Sequence, residues 1–192
     1  MPSILDSREK IKAIDSHNLL GSVETLPDQI QDAWEATKSL VFPDTFHNVS
    51  NIIVSGMGGS SLGALVIKRL FKDELQVPLE IYPHYHLPGY ASSDSLVILS
   101  SYSGITEETL AAAEHAEKVG AKIAVITGGG KLAELAKSKG WPMYMIDPKF
   151  NPCGQPRMAI GYAVFGMLSM FAKMGLINIA ESDVLKIVDN LT

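Results

Sequence analysis

The chain alternates short apolar runs with glycine-bearing turns and amphipathic segments from about residue 50 onwards. Apolar runs of strand length separated by helix-length segments are typical of βαβ units, and they predict an α/β domain built on a parallel sheet. Strands are predicted at 51–55, 79–82, 96–100, 122–127 and 143–146. Helices are predicted between them at 61–71, 110–119 and 131–139. Gly120 is expected to end the second of these helices, because glycine tolerates the left-handed conformation.

Amphipathic segments before the sheet region predict two helices. The first is expected over 3–14 and is ended by residues 17–21. The second should run from Pro27, which suits the first helical position, to about Leu40. We therefore divide the chain into an amino-terminal helical segment (1–45), an α/β core (46–150) and carboxyl-terminal helices (151–192).

Two further helices are predicted after the sheet region, over 157–174 and 181–191. The second is expected to be capped by Ser182 or an adjacent polar residue. The first is apolar on nearly all sides, with four methionines between residues 158 and 174. Two interpretations of this helix stay open: it packs in the core, or it also faces a second domain or subunit.

Composition narrows the class of function. A chain of 192 residues with 46% hydrophobic residues can bury the core of a single globular domain. The net charge of −5 and the scattered basic residues argue against a nucleic-acid or anionic-membrane surface. The longest apolar window, 158–172, is too short to span a bilayer, and the amino terminus has no apolar signal segment. The single cysteine, Cys153, excludes an internal disulfide and a cysteine-based zinc site, so we expect a reducing, cytoplasmic location.

Two polar turns follow the first and third predicted strands, at 56–63 and 100–109. The second turn carries the hydroxyl groups of Ser101, Ser103, Thr106 and Thr109 between a strand end and a helix start. Unpaired N–H groups and the positive end of a helix dipole suit a bound anion there, and hydroxyl groups add neutral donors. Right-handed crossovers should bring both turns to the same edge of the sheet. The sequence therefore predicts a phosphate-binding cradle that contains no cationic side chain.

The spacing of residues in the first turn excludes two common phosphate-binding motifs. A dinucleotide fingerprint needs glycine where Ser61 stands, and a P-loop needs a Gly-Lys-Ser/Thr sequence that is absent. The remaining alternative is that the glycines only make a tight turn. His84 and His86 have a spacing found in metal sites, but no third ligand accompanies them, so no metal is expected.

The two turns together resemble the sugar isomerase (SIS) domain family. The residues that carry the likeness are Gly56-Met-Gly-Gly-Ser60 and Ser101-Tyr-Ser-Gly-Ile-Thr-Glu-Glu-Thr109, and it extends to 26–30, 85–88 and 155–157. More narrowly, the chain resembles the amino-terminal half of bifunctional phosphoglucose/phosphomannose isomerases. The resemblance implies a flavodoxin-like three-layer fold with a five-stranded parallel sheet and flanking helices at both termini. It also implies isomerisation of glucose 6-phosphate or mannose 6-phosphate to fructose 6-phosphate through a cis-enediolate, without metal or cofactor.

The resemblance implies a role for individual residues. The phosphate of a hexose 6-phosphate would be held by hydroxyl groups of Ser60, Ser101, Ser103 and Thr106. The sugar would lie against Gly58, Gly59 and Pro156, and Arg157 would stabilise the enediolate oxygen. The residues alone leave a second interpretation of Arg157, as a surface arginine paired with a carboxylate such as Asp147.

The chain departs from the family pattern in three ways. Ile105 stands where the family usually has asparagine, and Ser61 replaces a usual glycine. The third departure is length: the family's glutamate base and ring-opening histidine come from a second SIS domain, which is not within these 192 residues. Glu107 and Glu108 lie in a first helical turn, where acids stabilise the helix, and are not expected to replace that base.

Two functions therefore remain. The chain is half of an isomerase, or it is a non-catalytic phosphosugar-binding regulatory module. Its expected partner is a second SIS domain or a second copy, contacted through the helix over 157–174 or the one over 181–191.

Overall fold

The structure, a computed structural model, describes residues 3–192. It contains one sheet of parallel strands: β1 (Asn51–Gly56), β2 (Leu79–Ile81), β3 (Ser95–Ser101), β4 (Lys122–Thr127) and β5 (Met143–Met145). Their order across the sheet is β2-β1-β3-β4-β5. This is the strand order of flavodoxin-like folds. The chain adds β2 on one side of β1 and then adds β3, β4 and β5 in turn on the other side. The predicted parallel α/β architecture is confirmed.

Helices cover both faces of the sheet. Those in the described chain are α1 (Arg8–Ile14), α2 (Leu19–Glu24), α3 (Leu26–Thr37), α4 (Leu62–Leu70), α5 (Glu107–Lys118), α6 (Gly130–Lys139), α7 (Ile160–Lys173) and α8 (Glu181–Leu191). Successive strand residues point to opposite faces: Leu96 and Ile98 are buried against α4 and α7, whereas Val97 and Leu99 are buried against α5 and α6. Helix α3 packs on the outer side of α7, and α8 packs on α3.

Helix α7 lies inside the protein. Its side chains from Tyr162 to Phe171 are largely buried, between α3 on one side and α4 and the sheet on the other. Core packing therefore accounts for its apolar character on nearly all sides. The helix begins at Ile160 and not at Arg157 as predicted, because Pro156–Met158 form a separate 3-10 turn. No helix within residues 3–192 is long and apolar enough to cross a membrane.

The sequence prediction missed α2. Residues 17–21 were expected to end a helix, but a new helix begins at Leu19. The carboxylate of Asp15 accepts hydrogen bonds from the N–H groups of Leu19 (2.8 Å) and Leu20 (2.7 Å), which satisfies the exposed helix start. The same two bonds, that of Leu20 first, lower the pKa of Asp15. The cap lies outside the helix in sequence, so the apolar periodicity does not show it.

The ends of two other helices test the capping predictions. Gly120 follows α5 with φ +73°, so the predicted left-handed helix end is confirmed. Ser182 is not the cap of α8: the helix starts after Ala180, whose N–H donates to the carboxylate of Asp183 at 3.3 Å. Asp183, a polar residue next to Ser182, accepts this hydrogen bond from the third helical position, in line with the other form of the prediction.

Candidate functional site

The two polar turns meet at the carboxyl edge of the sheet, where β1 and β3 lie side by side. Gly56 pairs with Ser100 in the sheet register. The hydroxyl of Ser100 donates to the carbonyl of Ser60 at 2.8 Å, and the N–H of Tyr102 donates to the hydroxyl oxygen of Ser60 at 3.2 Å. A Cβ atom at Gly56 would lie 3.0 Å from the carbonyl oxygen of Ser100, so a side chain there would push the turns apart. The turns thus form one site at the point where open α/β sheets bind ligands.

Hydroxyl groups in the site accept hydrogen bonds from the backbone and keep protons to donate. The hydroxyl oxygen of Ser60 accepts from Tyr102 N–H, and that of Ser103 accepts from Ile105 N–H at 3.4 Å. Within the part of the chain that the structure describes, neither hydroxyl donates to an acceptor. Such protons suit a ligand that only accepts hydrogen bonds, as a phosphate dianion does.

Ser101 and Thr106 share one hydrogen bond. Their hydroxyl oxygens are 2.8 Å apart, and the oxygen of Ser101 also accepts from Gly104 N–H at 3.1 Å. One hydroxyl of the pair donates to the other, so one proton remains for a ligand. Ser101 is only 1% exposed, whereas Ser103 is exposed. Ser101 therefore shapes the turn from a buried position.

The amino terminus of α5 adds a positive partial charge beside these hydroxyl groups. Thr106 is the N-cap residue, but its hydroxyl bonds to Ser101 and does not cap the first helical turn. The phenol of Tyr85 donates to the carboxylate of Glu107 at 3.4 Å. The charge of Glu108, then burial, then the charge of Glu107 raise the pKa of Tyr85. The first-turn N–H groups stay available to an anion.

The glycine turn after β4, Gly128-Gly129-Gly130, packs against the turn over 100–109, which we call the serine turn. Gly104 has φ +67°, and a Cβ atom there would lie 1.7 Å from the carbonyl oxygen of Gly129. The carbonyl of Gly104 accepts from Leu132 N–H at 2.9 Å, in the first turn of α6. From the sequence, Gly128-Gly129-Gly130 is predicted only to form a turn, and no spacing rule points to this contact.

Arg157 lies beside the first turn. A Cβ atom on Gly59 would be 3.5 Å from Cα of Arg157 and 3.6 Å from the carbonyl oxygen of Pro156, so the two backbones are in contact. Gly58 has φ +51° and open space where a side chain would stand. Among residues 3–192, Arg157 is exposed and forms no ion pair, so the predicted alternative of pairing with Asp147 is not seen.

All the residues to which the resemblance assigns a role lie in the two turns or in the Pro156–Met158 turn that rests on them. Thr109 is different: it is fully buried, and its hydroxyl has no hydrogen-bond partner within the described chain. Ile105 is 60% exposed at the rim of the serine turn. Tyr102, within the quoted motif, received no role from the sequence although it contacts Ser60.

The histidines outside the site form local contacts. The ring of Tyr82 lies 4.5 Å from that of His84 and 6.1 Å from that of His86, centroid to centroid. Nδ1 of His115 accepts from Leu87 N–H at 3.0 Å, and Nδ1 of His47 donates to the carbonyl of Met174 at 2.6 Å. Within residues 3–192, no three His, Cys, Asp or Glu side chains are placed to hold a metal ion.

Comparisons with known proteins point to one family. A family model described as SIS domain matches residues 45–149. The chain is 40% identical over 164 residues to the bifunctional phosphoglucose/phosphomannose isomerase of Caldicellulosiruptor bescii, a match that covers 85% of this chain and 47% of that protein. The chain thus spans about half the length of this curated relative.

Two solved structures share the fold at low sequence identity. The C-terminal domain of glucosamine-fructose-6-phosphate aminotransferase from Francisella tularensis matches with a TM-score of 0.64 at 14% identity, over 94% of this chain and 54% of that one. The NanR protein of Vibrio vulnificus, complexed with ManNAc-6P, matches with a TM-score of 0.57 at 17% identity, over 96% and 72% of the respective chains.

Proposed function

Because the chain belongs to the SIS domain family, we propose that it is the phosphosugar-binding half of an aldose–ketose isomerase that acts on hexose 6-phosphates. The observation that carries this proposal is the set of hydroxyl groups with undonated protons at the meeting point of two turns. Ser60, Ser103 and the Ser101–Thr106 pair, which has one proton left to donate, would hold the phosphate oxygens. The relative from Caldicellulosiruptor bescii supports the choice of substrate class.

The site would bind the phosphate without a cation next to it. The first-turn N–H groups of α5 and the hydroxyl groups supply donors, and hydrogen bonds to a charged acceptor are stronger than neutral ones. Arg157 lies beyond Gly59, against the other turn. A sugar whose phosphate occupies the serine turn would pass Gly58, Gly59 and Pro156 and present its reacting end to the guanidinium.

The reaction moves a proton between C1 and C2 through a cis-enediolate. Arg157 would stabilise the developing negative oxygen, where fixed charge helps catalysis most. Glu107 and Glu108 lie near Tyr85 and are not proposed as the base. A second SIS domain would supply the glutamate base and the histidine that opens the sugar ring. This activity would place the enzyme in the cytoplasm, in glycolysis and gluconeogenesis.

Replacing Arg157 with alanine, in a protein that contains both SIS domains, should lower kcat about 10²- to 10³-fold, the usual effect of removing one oxyanion-stabilising group. The dissociation constant of glucose 6-phosphate should change by less than about threefold, because the phosphate contacts remain. Steady-state kinetics and calorimetry measure the two quantities. Arg69→Ala is the matched control, since Arg69 is exposed in the last turn of α4. Equal kinetics for the two variants would contradict the role of Arg157.

A regulatory phosphosugar-binding module is the second candidate function. It is favoured because no residue of the described site is proposed as the base. The two glutamates of the site, Glu107 and Glu108, interact with Tyr85. An assay of fructose 6-phosphate conversion, run on the 192-residue chain and on a protein with both SIS domains, separates the candidates. Turnover only by the longer protein supports the isomerase. Binding without turnover in both supports the module, and turnover by the short chain contradicts a base outside it.

Helix α8 is the better candidate for contact with a second SIS domain or a second copy. Of the two helices considered, α7 is covered within the chain, whereas α8 exposes Leu185, Ile187 and Leu191 by 45%, 37% and 49%. We expect sedimentation of the 192-residue chain to show a dimer that Leu185→Asp dissociates, because a charge is costly to bury in an apolar contact. A monomer at high concentration would contradict this expectation.

A further inference from the structure

A buried amide side chain, that of Gln29, forms hydrogen bonds with the backbone on both sides of Arg157. Gln29, in α3, has no exposed surface. Its Nε2 donates to the carbonyl of Phe150 at 2.9 Å and to that of Met158 at 3.0 Å, and its Oε1 accepts from Gly161 N–H at 3.2 Å. These three backbone groups lie on both sides of Arg157 in the chain. The backbone segment around Arg157 therefore cannot shift outwards without breaking buried hydrogen bonds.

A second buried amide holds the same segment on the side of the sheet. Asn151 is 3% exposed. Its Nδ2 donates to the carbonyl of Gln155 and to the phenol oxygen of Tyr102, both at 3.0 Å. Gln155 comes two residues before Arg157. The Asn151 side chain thus joins the Arg157 segment to Tyr102.

Tyr102, which lies in the second turn of the site, contacts the first turn and the glycine turn after β4. Its N–H donates to the hydroxyl oxygen of Ser60, and its carbonyl accepts from Gly128 N–H at 3.0 Å. Its side chain lines, with Ser60 and Pro156, a cavity of about 10 Å³, which has room for one water molecule at most. Hydrogen bonds therefore run from Ser60 through Tyr102 and Asn151 to Gln155. Asn151 is buried and the other three residues are half-buried, and the bonds connect the first turn to the Arg157 segment.

We propose that Tyr102 is a positioning residue, whose hydroxyl keeps Arg157 at a fixed place relative to the hydroxyl groups that bind phosphate. This inference rests on the proposed function. A phosphosugar has its phosphate at one end and its reacting carbons at the other, so the site must hold two groups at a set separation. Small displacements of a positioned group reduce catalysis strongly. The tyrosine between Ser101 and Ser103 sets that separation.

Tyr102→Phe tests the proposal with little disturbance. The variant keeps the ring and the N–H that donates to Ser60, so the phosphate-binding hydroxyl groups stay in place. It removes one of the two acceptors of Asn151 Nδ2 and leaves the other, the carbonyl of Gln155. Tyr144→Phe is the matched control: Tyr144 is 2% exposed, and its hydroxyl has no partner within the described residues.

The probes are inorganic phosphate and 5-phospho-D-arabinonate, in which a carboxylate stands where the enediolate oxygens would develop. For Tyr102→Phe we expect the affinity for phosphate to stay within about twofold of that of the parent chain. The affinity for the arabinonate, relative to that for phosphate, should fall roughly tenfold, because the loss of one hydrogen bond has an effect of about this size. Tyr144→Phe should change neither. In an Arg157→Ala background, Tyr102→Phe should cause no further loss. An unchanged affinity ratio, or an equal loss without Arg157, would overturn the proposal.

Hydrogen exchange gives a second measurement that needs no ligand. The N–H of Met158 donates to the carbonyl of Gln155 at 2.9 Å, next to Arg157. Its exchange should become several-fold faster in Tyr102→Phe and remain unchanged in Tyr144→Phe. Unchanged exchange in both variants would contradict the positioning role. If the parent chain binds neither probe, the proposed function fails, whereas faster exchange of Met158 would still show the link between Tyr102 and the Arg157 segment.

Discussion

Replacing both Ser101 and Ser103 with alanine will weaken the binding of glucose 6-phosphate by about 10²- to 10⁴-fold. A hydrogen bond to a charged group contributes about 1.5–3 kcal/mol. The double variant removes the donor of Ser103 and breaks the Ser101–Thr106 pair that positions the other donor. The N–H groups of α5 remain and will keep a weak affinity for anions. Calorimetric titration with glucose 6-phosphate, at fixed ionic strength, measures the loss.

The two single variants separate binding from folding. Ser103 is exposed and only accepts from Ile105 N–H, so Ser103→Ala should reduce affinity with little change in the melting temperature. Ser101 is buried and accepts from Gly104 N–H, so Ser101→Ala should reduce both affinity and stability. Ser138→Ala is the control, because this hydroxyl donates to the carbonyl of Leu135 within α6. If the double variant kept its affinity for glucose 6-phosphate, the proposed phosphate-binding role of these hydroxyl groups would be wrong.

Replacing Gly104 with alanine will destabilise the protein by about 2–5 kcal/mol. The new Cβ would lie 1.7 Å from the carbonyl oxygen of Gly129, which is backbone and cannot move aside as a flexible side chain could. The serine turn and the glycine turn after β4 would have to separate. Overpacking in a close contact typically costs about 1–3 kcal/mol, and the left-handed φ of +67° adds roughly 1–2 kcal/mol for a residue with a Cβ.

Gly140→Ala is the matched control for this prediction. Gly140 has φ +68°, but no atom lies within 4 Å of the position of its Cβ. Its replacement therefore reports the backbone strain alone, about 1–2 kcal/mol. Urea unfolding of both variants gives the difference that belongs to the contact with Gly129. Equal losses of unfolding free energy would show that the two turns are not packed as the structure describes.

The sheet and the place of the site were predictable, because they depend on patterns that are local in sequence. The apolar runs and the helix-length segments between them predicted the parallel strands, and the crossover rule predicted that the turns after β1 and β3 share an edge. The hydroxyl groups of the serine turn were visible in the same way. Each of these features is contained in fewer than about ten consecutive residues.

Contacts between distant segments could not be predicted. Tyr102 and Asn151 are far apart in the chain, and nothing in either local sequence pairs them. Gln29 gives a partial signal: it precedes Ile30 on the apolar face of α3, where a polar residue must find partners when buried. Helix α2 was missed because its six residues are too few to show a clear periodicity.

A crystal structure of the chain soaked with excess glucose 6-phosphate would show whether the two turns bind the phosphate. We expect phosphate oxygens about 2.5–3.0 Å from the hydroxyl oxygens of Ser60, Ser101, Ser103 and Thr106, beside the first turn of α5. We also expect the sugar to extend past Gly59 towards Arg157. Empty turns at saturating ligand, or a phosphate bound elsewhere on the protein, would contradict the proposed phosphate site.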